Sequence, residues 1–139
     1  MSNQKKILIF TATYNEAENI DELVKIIKNQ ESNLDLLIID DNSPDKTADK
    51  IISLQKIYPK IFLIKRSGKL GLDSAHKEGY DFALRNNYDF FISMDADLSH
   101  DPNEIKNFIK HLNDFPFVIG SRYMEGGKCL MKKQRLILS

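Results

Sequence analysis

The sequence is poor in the residues that mark several common chemistries. Of 139 residues one is cysteine, Cys129. A single thiol excludes an internal disulfide framework, fits a reducing compartment, and is too little for a cysteine-rich zinc site. No apolar run approaches the ~18 residues of a membrane-spanning helix. Met1–Lys6 is polar and reads as no signal peptide, so the expected location is cytoplasmic. Neither charge sign is in excess: Lys+Arg and Asp+Glu are both 20. Nothing global therefore supports nucleic-acid binding, and no nucleic-acid partner is expected. GxGxxG is absent, which disfavours a dinucleotide-binding Rossmann enzyme. Lys69 lacks the P-loop spacing. There is no GxSxG elbow and no Cys/His nucleophile pair. His76, His100 and His111 form no metal-spaced cluster. His76 and His111 fall on expected helices as ordinary residues, and His100 lies three residues after Asp97, within reach of it.

What is present is an α/β pattern. Composition is 42% hydrophobic and 29% charged, which supports a folded core. Strands are expected at Ile7–Phe10, Leu36–Ile39, Ile61–Ile64, Phe90–Met94 and Phe117–Ile119. Between them lie amphipathic segments carrying Ile20, Leu23, Val24, Ile26 and Ile27, then Ile51, Ile52, Leu54 and Ile57, then residues 73–84, and finally Ile105, Phe108, Ile109 and Leu112. Asn15 and Glu18 form a capping-box pattern, Pro59 stops the second helix, and Pro102 suits the first turn of the last. Alternating strands and helices imply a mostly parallel sheet with helices on both faces, a three-layer sandwich. The chain reads as one domain. It stops as Leu136–Leu138 begin a new apolar run, so a C-terminally truncated domain is expected.

Acids collect at the strand tips. In open α/β sheets the ligand crevice lies outside the carboxyl ends of the strands. Asp95-Ala96-Asp97 ends the fourth strand, and carboxylates at i and i+2 there can share a hard divalent cation. The bland alternative is a solvated turn with an acidic cap. Asp40-Asp41 ends the second strand. Asp40 suits the turn Asn42-Ser43-Pro44, and Asp41 is the better ligand candidate, as an acceptor for base or ribose donors. Leaving the first strand, Tyr14 can stack on a base and Glu16 can accept from sugar or base. Alternatively Tyr14 packs locally while Asn15 caps the helix. Arg122 follows the fifth strand and can bind phosphate bidentately. Lys128, Lys132, Lys133 and Arg135 add a basic segment that a solvated face would also explain.

Five stretches in one order then resemble a known family. They are Thr13-Tyr14-Asn15-Glu16-Ala17-Glu18-Asn19-Ile20; Asp40-Asp41-Asn42-Ser43-Pro44-Asp45; Gly68-Lys69-Leu70-Gly71-Leu72; Met94-Asp95-Ala96-Asp97-Leu98-Ser99-His100-Asp101-Pro102; and Gly120-Ser121-Arg122-Tyr123 with Gly126-Gly127. Together they resemble family 2 glycosyltransferases of the dolichol-phosphate (polyprenol-phosphate) mannosyltransferase type. The family usually has Pro at Ala12 and often Gly at Asp73. The resemblance implies a GT-A (Rossmann-like) fold and transfer of mannose from GDP-mannose to a polyprenyl phosphate at a membrane surface, with inversion. It implies nucleotide-sugar contacts from Ala12, Tyr14, Glu16, Asp41, Asp95, Ala96, Arg122 and Arg135. It places Mg²⁺ or Mn²⁺ on Asp95 and Asp97, and assigns catalytic roles to Asp97 and Arg122. It also implies that acceptor-binding elements lie in a C-terminal part beyond this chain, and a peripheral position at the cytosolic membrane face. Two other readings stand beside it. One is a UDP-sugar-dependent polyprenyl-phosphate glycosyltransferase, the other a truncated, non-catalytic nucleotide-binding fragment.

Overall fold

The computed structural model describes residues 4–30, 33–115 and 118–121. It divides into two compact units, 1–105 and 106–139.

The first unit holds a four-stranded parallel sheet. Its strands are β1 (Ile7–Thr13), β2 (Leu34–Asp40), β3 (Ile61–Lys65) and β4 (Phe90–Ser93), in the order β3-β2-β1-β4. Three helices connect them: α1 (Ile20–Lys28), α2 (Thr47–Gln55) and α3 (Leu72–Arg85). All seven residues of β2 are buried. Side chains alternate between the faces of a strand, so the register sorts them. Leu8, Phe10, Leu37 and Ile39 form one cluster with Ala75 and Ala83 of α3. Ile7, Ile9, Leu36 and Ile38 point the other way and are equally buried. The apolar stripes of α1 (Ile20, Leu23, Val24, Ile27) and α2 (Ala48, Ile51, Leu54) cover that second face. Each such fully buried aliphatic side chain contributes about 1.5–3 kcal/mol.

The expected helix start at Asn15 is displaced. Asn15 takes a left-handed φ of 60°, and its N–H donates to Ser43 Oγ. The helix begins at Ile20, with Asn19 as the flanking residue. Asn tolerates the left-handed region better than most residues because its short polar side chain bonds locally. Here the loop uses that tolerance and not the capping capacity.

A 3₁₀ turn, Pro102–Glu104, is capped by Asp101, whose carboxylate accepts from Asn103 N–H at 2.9 Å. It leads into α4 (Ile105–His111), whose residues from Lys106 on belong to the second unit. In that unit Val118 and Ile119 are not in a strand. Ile119 is exposed, and a strand exists only where a neighbour pairs with it. Phe117 lies outside the described residues.

Candidate functional site

The strand order reverses between β1 and β4. From β1 the chain moves outward through β2 to β3, then returns to place β4 on the other side of β1. Such a switch point opens a crevice at the carboxyl ends of the strands. The pairing shows it opening. β1 stays paired with β2 as far as Thr13–Asp40, whereas its register with β4 ends at Phe10–Ser93. One further bond, Met94 N–H to the Phe10 carbonyl at 3.0 Å, closes that ladder. Beyond it the β4 chain diverges and carries Asp95 and Asp97 away from β1.

Alternation continues through the divergence. Met94 and Ala96 are buried, while Asp95 and Asp97 are exposed. Both carboxylates therefore reach solvent. Asp97 accepts from Ser99 N–H at 3.0 Å. Hydrogen bonding from Ser99 outweighs the opposing effect of desolvation, and with nearby His100 holds the Asp97 carboxyl below the usual range. Asp95 donates its backbone N–H to His100 Nδ1 at 3.1 Å, and its carboxylate lies 3.7 Å from His100 Nε2. Leu98 turns the chain with a left-handed φ of 61°.

This pair fits a hard divalent ion of the kind that Mg²⁺ and Mn²⁺ represent. Both ligands are oxygens, both are solvent-facing, and Asp97 is held ionised. Among the described residues no group of three or more His, Cys, Asp or Glu converges on a metal position. An ion here would take one or two protein carboxylates and complete its shell with phosphate oxygens and water, which is the common mode for magnesium bound with a phosphorylated substrate.

The register separates the two acids ending β2. Asp40 points to the α1/α2 side and is wholly buried. It accepts from Thr13 Oγ1 at 2.7 Å, Ser43 N–H at 3.0 Å and Ser43 Oγ at 2.6 Å. It is the knot of the turn. Asp41 has the parity of Ile39 and so faces the α3 side, shared with Ser93 of β4. One of its oxygens accepts from Arg66 Nε and the other from Leu70 N–H at 3.1 Å. A carboxylate has about four acceptor positions, so Asp41, only 7% exposed, retains acceptor capacity beyond these two bonds.

Arg66 is the residue that sequence reasoning missed. It lies one position beyond β3, with its N–H on the Asp40 carbonyl at 2.8 Å, and is only 8% exposed. Its guanidinium also donates to Ser74 Oγ at 2.6 Å and to the Gly71 carbonyl at 3.0 Å. The available signal was an arginine directly after an apolar strand, before a glycine-punctuated loop, at the same sheet edge as four acids.

The remaining expected residues are placed as follows. Tyr14 is 38% exposed at the tip of β1, and Lys69 Nζ sits over its ring at 4.5 Å, a cation–π distance. Glu16 is half-buried; its Oε2 accepts from Asn19 Nδ2 at 2.9 Å and its N–H donates to Thr47 Oγ1 at 3.0 Å. Ala12 packs against the α3-side cluster, and Ala96 is buried between the two exposed acids. Tyr14, Asp41, Lys69 and Arg66 thus form one wall, and Asp95 and Asp97 stand at the other side of the switch point. Arg122 and Arg135 lie outside the described residues. Two hollows of about 510 and 400 Å³ in the first unit include none of Asp41, Asp95 or Asp97.

An α/β fold with acids at its switch point defines a class of domain that binds its ligand outside the carboxyl ends of the strands, and comparison with known proteins narrows it. The family model for glycosyl transferase family 2 matches residues 8–137. The chain belongs to glycosyl transferase family 2. It is 40% identical over 126 residues to a dolichol-phosphate mannosyltransferase of Pyrococcus furiosus, covering 88% of this chain and 35% of that protein. It is 32% identical to an undecaprenyl-phosphate mannosyltransferase of Micrococcus luteus and 34% identical to a polyprenol monophosphomannose synthase of Mycolicibacterium smegmatis, again over 88% of this chain. The chain spans about a third to a half of the length of these relatives. Among solved structures it resembles the mannosyltransferase PcManGT of Pyrobaculum calidifontis in complex with GDP-Man and Mn²⁺, with a TM-score of 0.65 and 24% identity, covering 80% of this chain and 33% of that one. It also resembles S. aureus TarS 1-349, with a TM-score of 0.61 and 18% identity, over 86% of this chain and 40% of that one. The fold is of the GT-A type.

Proposed function

We propose that this chain is the nucleotide-sugar-binding part of a mannosyltransferase that moves mannose from GDP-mannose to a polyprenyl phosphate, with inversion and with a divalent metal. The observation that carries the reading is the gathering of Asp41, Asp95 and Asp97 beyond the carboxyl ends of β2 and β4, the two strands that flank β1. The named activities of the relatives and the Mn²⁺ and GDP-Man in a structural neighbour agree with it. Asp41, with Tyr14 and Glu16, holds the nucleoside beside Ala12. Asp95 and Asp97, with the Ala96 backbone between them, hold the metal and so face the diphosphate. A bound Mg²⁺ or Mn²⁺ supplies charge neutralisation on the departing diphosphate. Arg122 and Arg135 are assigned to phosphate. The acceptor phosphate is already an anion near neutral pH and needs positioning, not deprotonation. A lipid-linked acceptor places the reaction at a membrane surface; among the described residues no helix is long and apolar enough to cross one.

The test is binding followed by transfer. GDP-mannose with Mn²⁺ is expected to raise the melting temperature of the chain, because a ligand of the folded state stabilises it, and UDP-glucose is expected to do so less. In an enzyme that also carries the acceptor-binding part, labelled mannose should then pass to a short polyprenyl phosphate only when the metal is present. Asp95→Ala should abolish the metal dependence of nucleotide binding; retention of that dependence sinks the metal assignment. A larger shift with UDP-glucose would sink the donor assignment.

A further inference from the structure

The two walls of the site lie on different strands, and one helix touches both. The first turns of α3 meet the β2–β3 side through Arg66, which donates to Ser74 Oγ and to the Gly71 carbonyl while its Nε binds Asp41. Gly71 starts the helix with a φ of 95°, a conformation that favours glycine, and its carbonyl also accepts from Ala75 N–H at 3.2 Å. One turn further on, His76 meets the β4 side. Its Nε2 is 2.8 Å from Ser93 Oγ, and its Nδ1 is 3.0 Å from the Leu72 carbonyl. A carbonyl can only accept, so Nδ1 carries the proton, and in the neutral ring Nε2 accepts from the Ser93 hydroxyl. The ring is seated edge-on against Phe10, centroids 5.0 Å apart. Ser93 is the last residue of β4, two before Asp95. Arg66, Asp41 and Ser93 all carry the strand parity that faces α3, which is why one helix reaches both ends.

We infer that Arg66 and His76 are positioning residues at the two ends of a strut, the first turns of α3, which fixes the spacing between the nucleoside acceptor Asp41 and the metal carboxylates Asp95 and Asp97. The assignment of those acids to nucleoside and metal rests on the proposed function; the strut itself does not. Neither residue has to touch the ligand. Arg66 holds one oxygen of Asp41 and the start of the helix in one rigid fork, and lysine cannot reproduce a fork that serves three acceptors. His76 carries that fixed helix to the tip of β4. Nucleoside and diphosphate belong to one ligand, so misplacing either wall by ~1 Å costs affinity for the whole nucleotide.

The experiment uses the 139-residue chain and has a ligand-free arm and a ligand arm. In the first, backbone amide resonances of Arg66→Lys and Ser93→Ala are compared with those of the parent. The strut predicts reciprocal changes: Arg66→Lys shifts the amides of residues 93–97, and Ser93→Ala shifts those of Asp41 and Leu70. Changes confined to each variant's own surroundings overturn the strut. In the second arm, calorimetry measures Mn²⁺–GDP and Mn²⁺–pyrophosphate binding. Arg66→Lys should weaken GDP about tenfold and leave pyrophosphate within about twofold, a split that a general loss of stability would not give. Ser93→Ala should weaken both. Unchanged GDP affinity in Arg66→Lys overturns the positioning role. Reciprocal shifts in a parent that binds neither probe uphold the strut and overturn the proposed function. Arg66→Lys keeps a cation beside the buried Asp41; if it nevertheless melts non-cooperatively, Ser74→Ala tests the same end, because it removes one acceptor of the fork and leaves the ion pair.

Discussion

At the scale of single residues, the packing around Phe10 makes the firmest forecast. A Cβ on Gly79 would lie 2.9 Å from the Phe10 ring. That ring cannot yield easily, because Phe91 stacks on it at 5.4 Å and His76 meets it edge-on. Gly79→Ala gains about 1 kcal/mol of helix propensity but overpacks the core at a cost of about 1–3 kcal/mol. The expected outcome is a lower urea midpoint with an unchanged slope. Thr11 is the opposite case. Its Oγ1 is buried with no hydrogen-bond partner among the described residues. An unmet buried hydroxyl costs about 1–3 kcal/mol, so Thr11→Val, which keeps the β-branched shape, should raise the urea midpoint. The acids show how far single residues were legible. Sequence singled out Asp41, Asp95 and Asp97 because carboxylates at strand tips are conspicuous. It also favoured Asp41 over Asp40 for a ligand; Asp40 is wholly buried and accepts three bonds, and Asp41 is 7% exposed and accepts from Arg66 and Leu70. Arg66 left only a faint signal in the sequence and His76 none, because what distinguishes them is what they touch 5–25 positions away.

At the scale of elements, the β1–α1 and β2–α2 loops act as one piece. Asp45 ties them: its carboxylate accepts from Ala17 N–H at 2.9 Å, and from Thr47 N–H and Oγ1 at 3.1 and 2.5 Å. Desolvation pushes its carboxyl upward, but the bonds from Thr47 and Ala17 outweigh that and hold it below the usual range. A lowered folded-state value stabilises the protein above the unfolded value near pH 4, and that gain is lost as pH falls through the folded value. Asp45→Asn should therefore lower the melting temperature at pH 7 and flatten its fall in acid, which a melting series from pH 7 to pH 2 checks. Strand existence was well read for the sheet, whose four strands fall on expected apolar runs, but not for the fifth expected strand, where Val118 and Ile119 are in none. The ends of the four were less well read, since β1 continues three residues past Phe10 by pairing with β2. The first helix was placed too early for a related reason. Asn15 suits a cap in isolation, but Ser43 of the neighbouring loop claims its N–H.

For the molecule as a whole, the opposite end of the sheet sets the alkaline limit. Tyr88 donates to the buried Asp35 at 2.6 Å, and burial, this bond and the carboxylate charge raise its phenol well above the ordinary value. A raised folded-state value stabilises below about pH 10 and is lost as pH rises through the folded value. Stability should thus be level across neutral pH and fall on both sides, with Tyr88→Phe flattening the alkaline limb and leaving the acid limb unchanged in a melting series. Sequence by itself determined the α/β class, the four apolar strands and the collection of acids at their tips, because burial and turn formation are written in local composition and period. Tertiary structure alone decided which acids share a face and what holds them. Strand order puts the switch point between β1 and β4, and the period-two register aims Asp41, Arg66 and Ser93 at one helix. Both depend on which strands become neighbours, a property of pairing between distant segments that no local pattern contains.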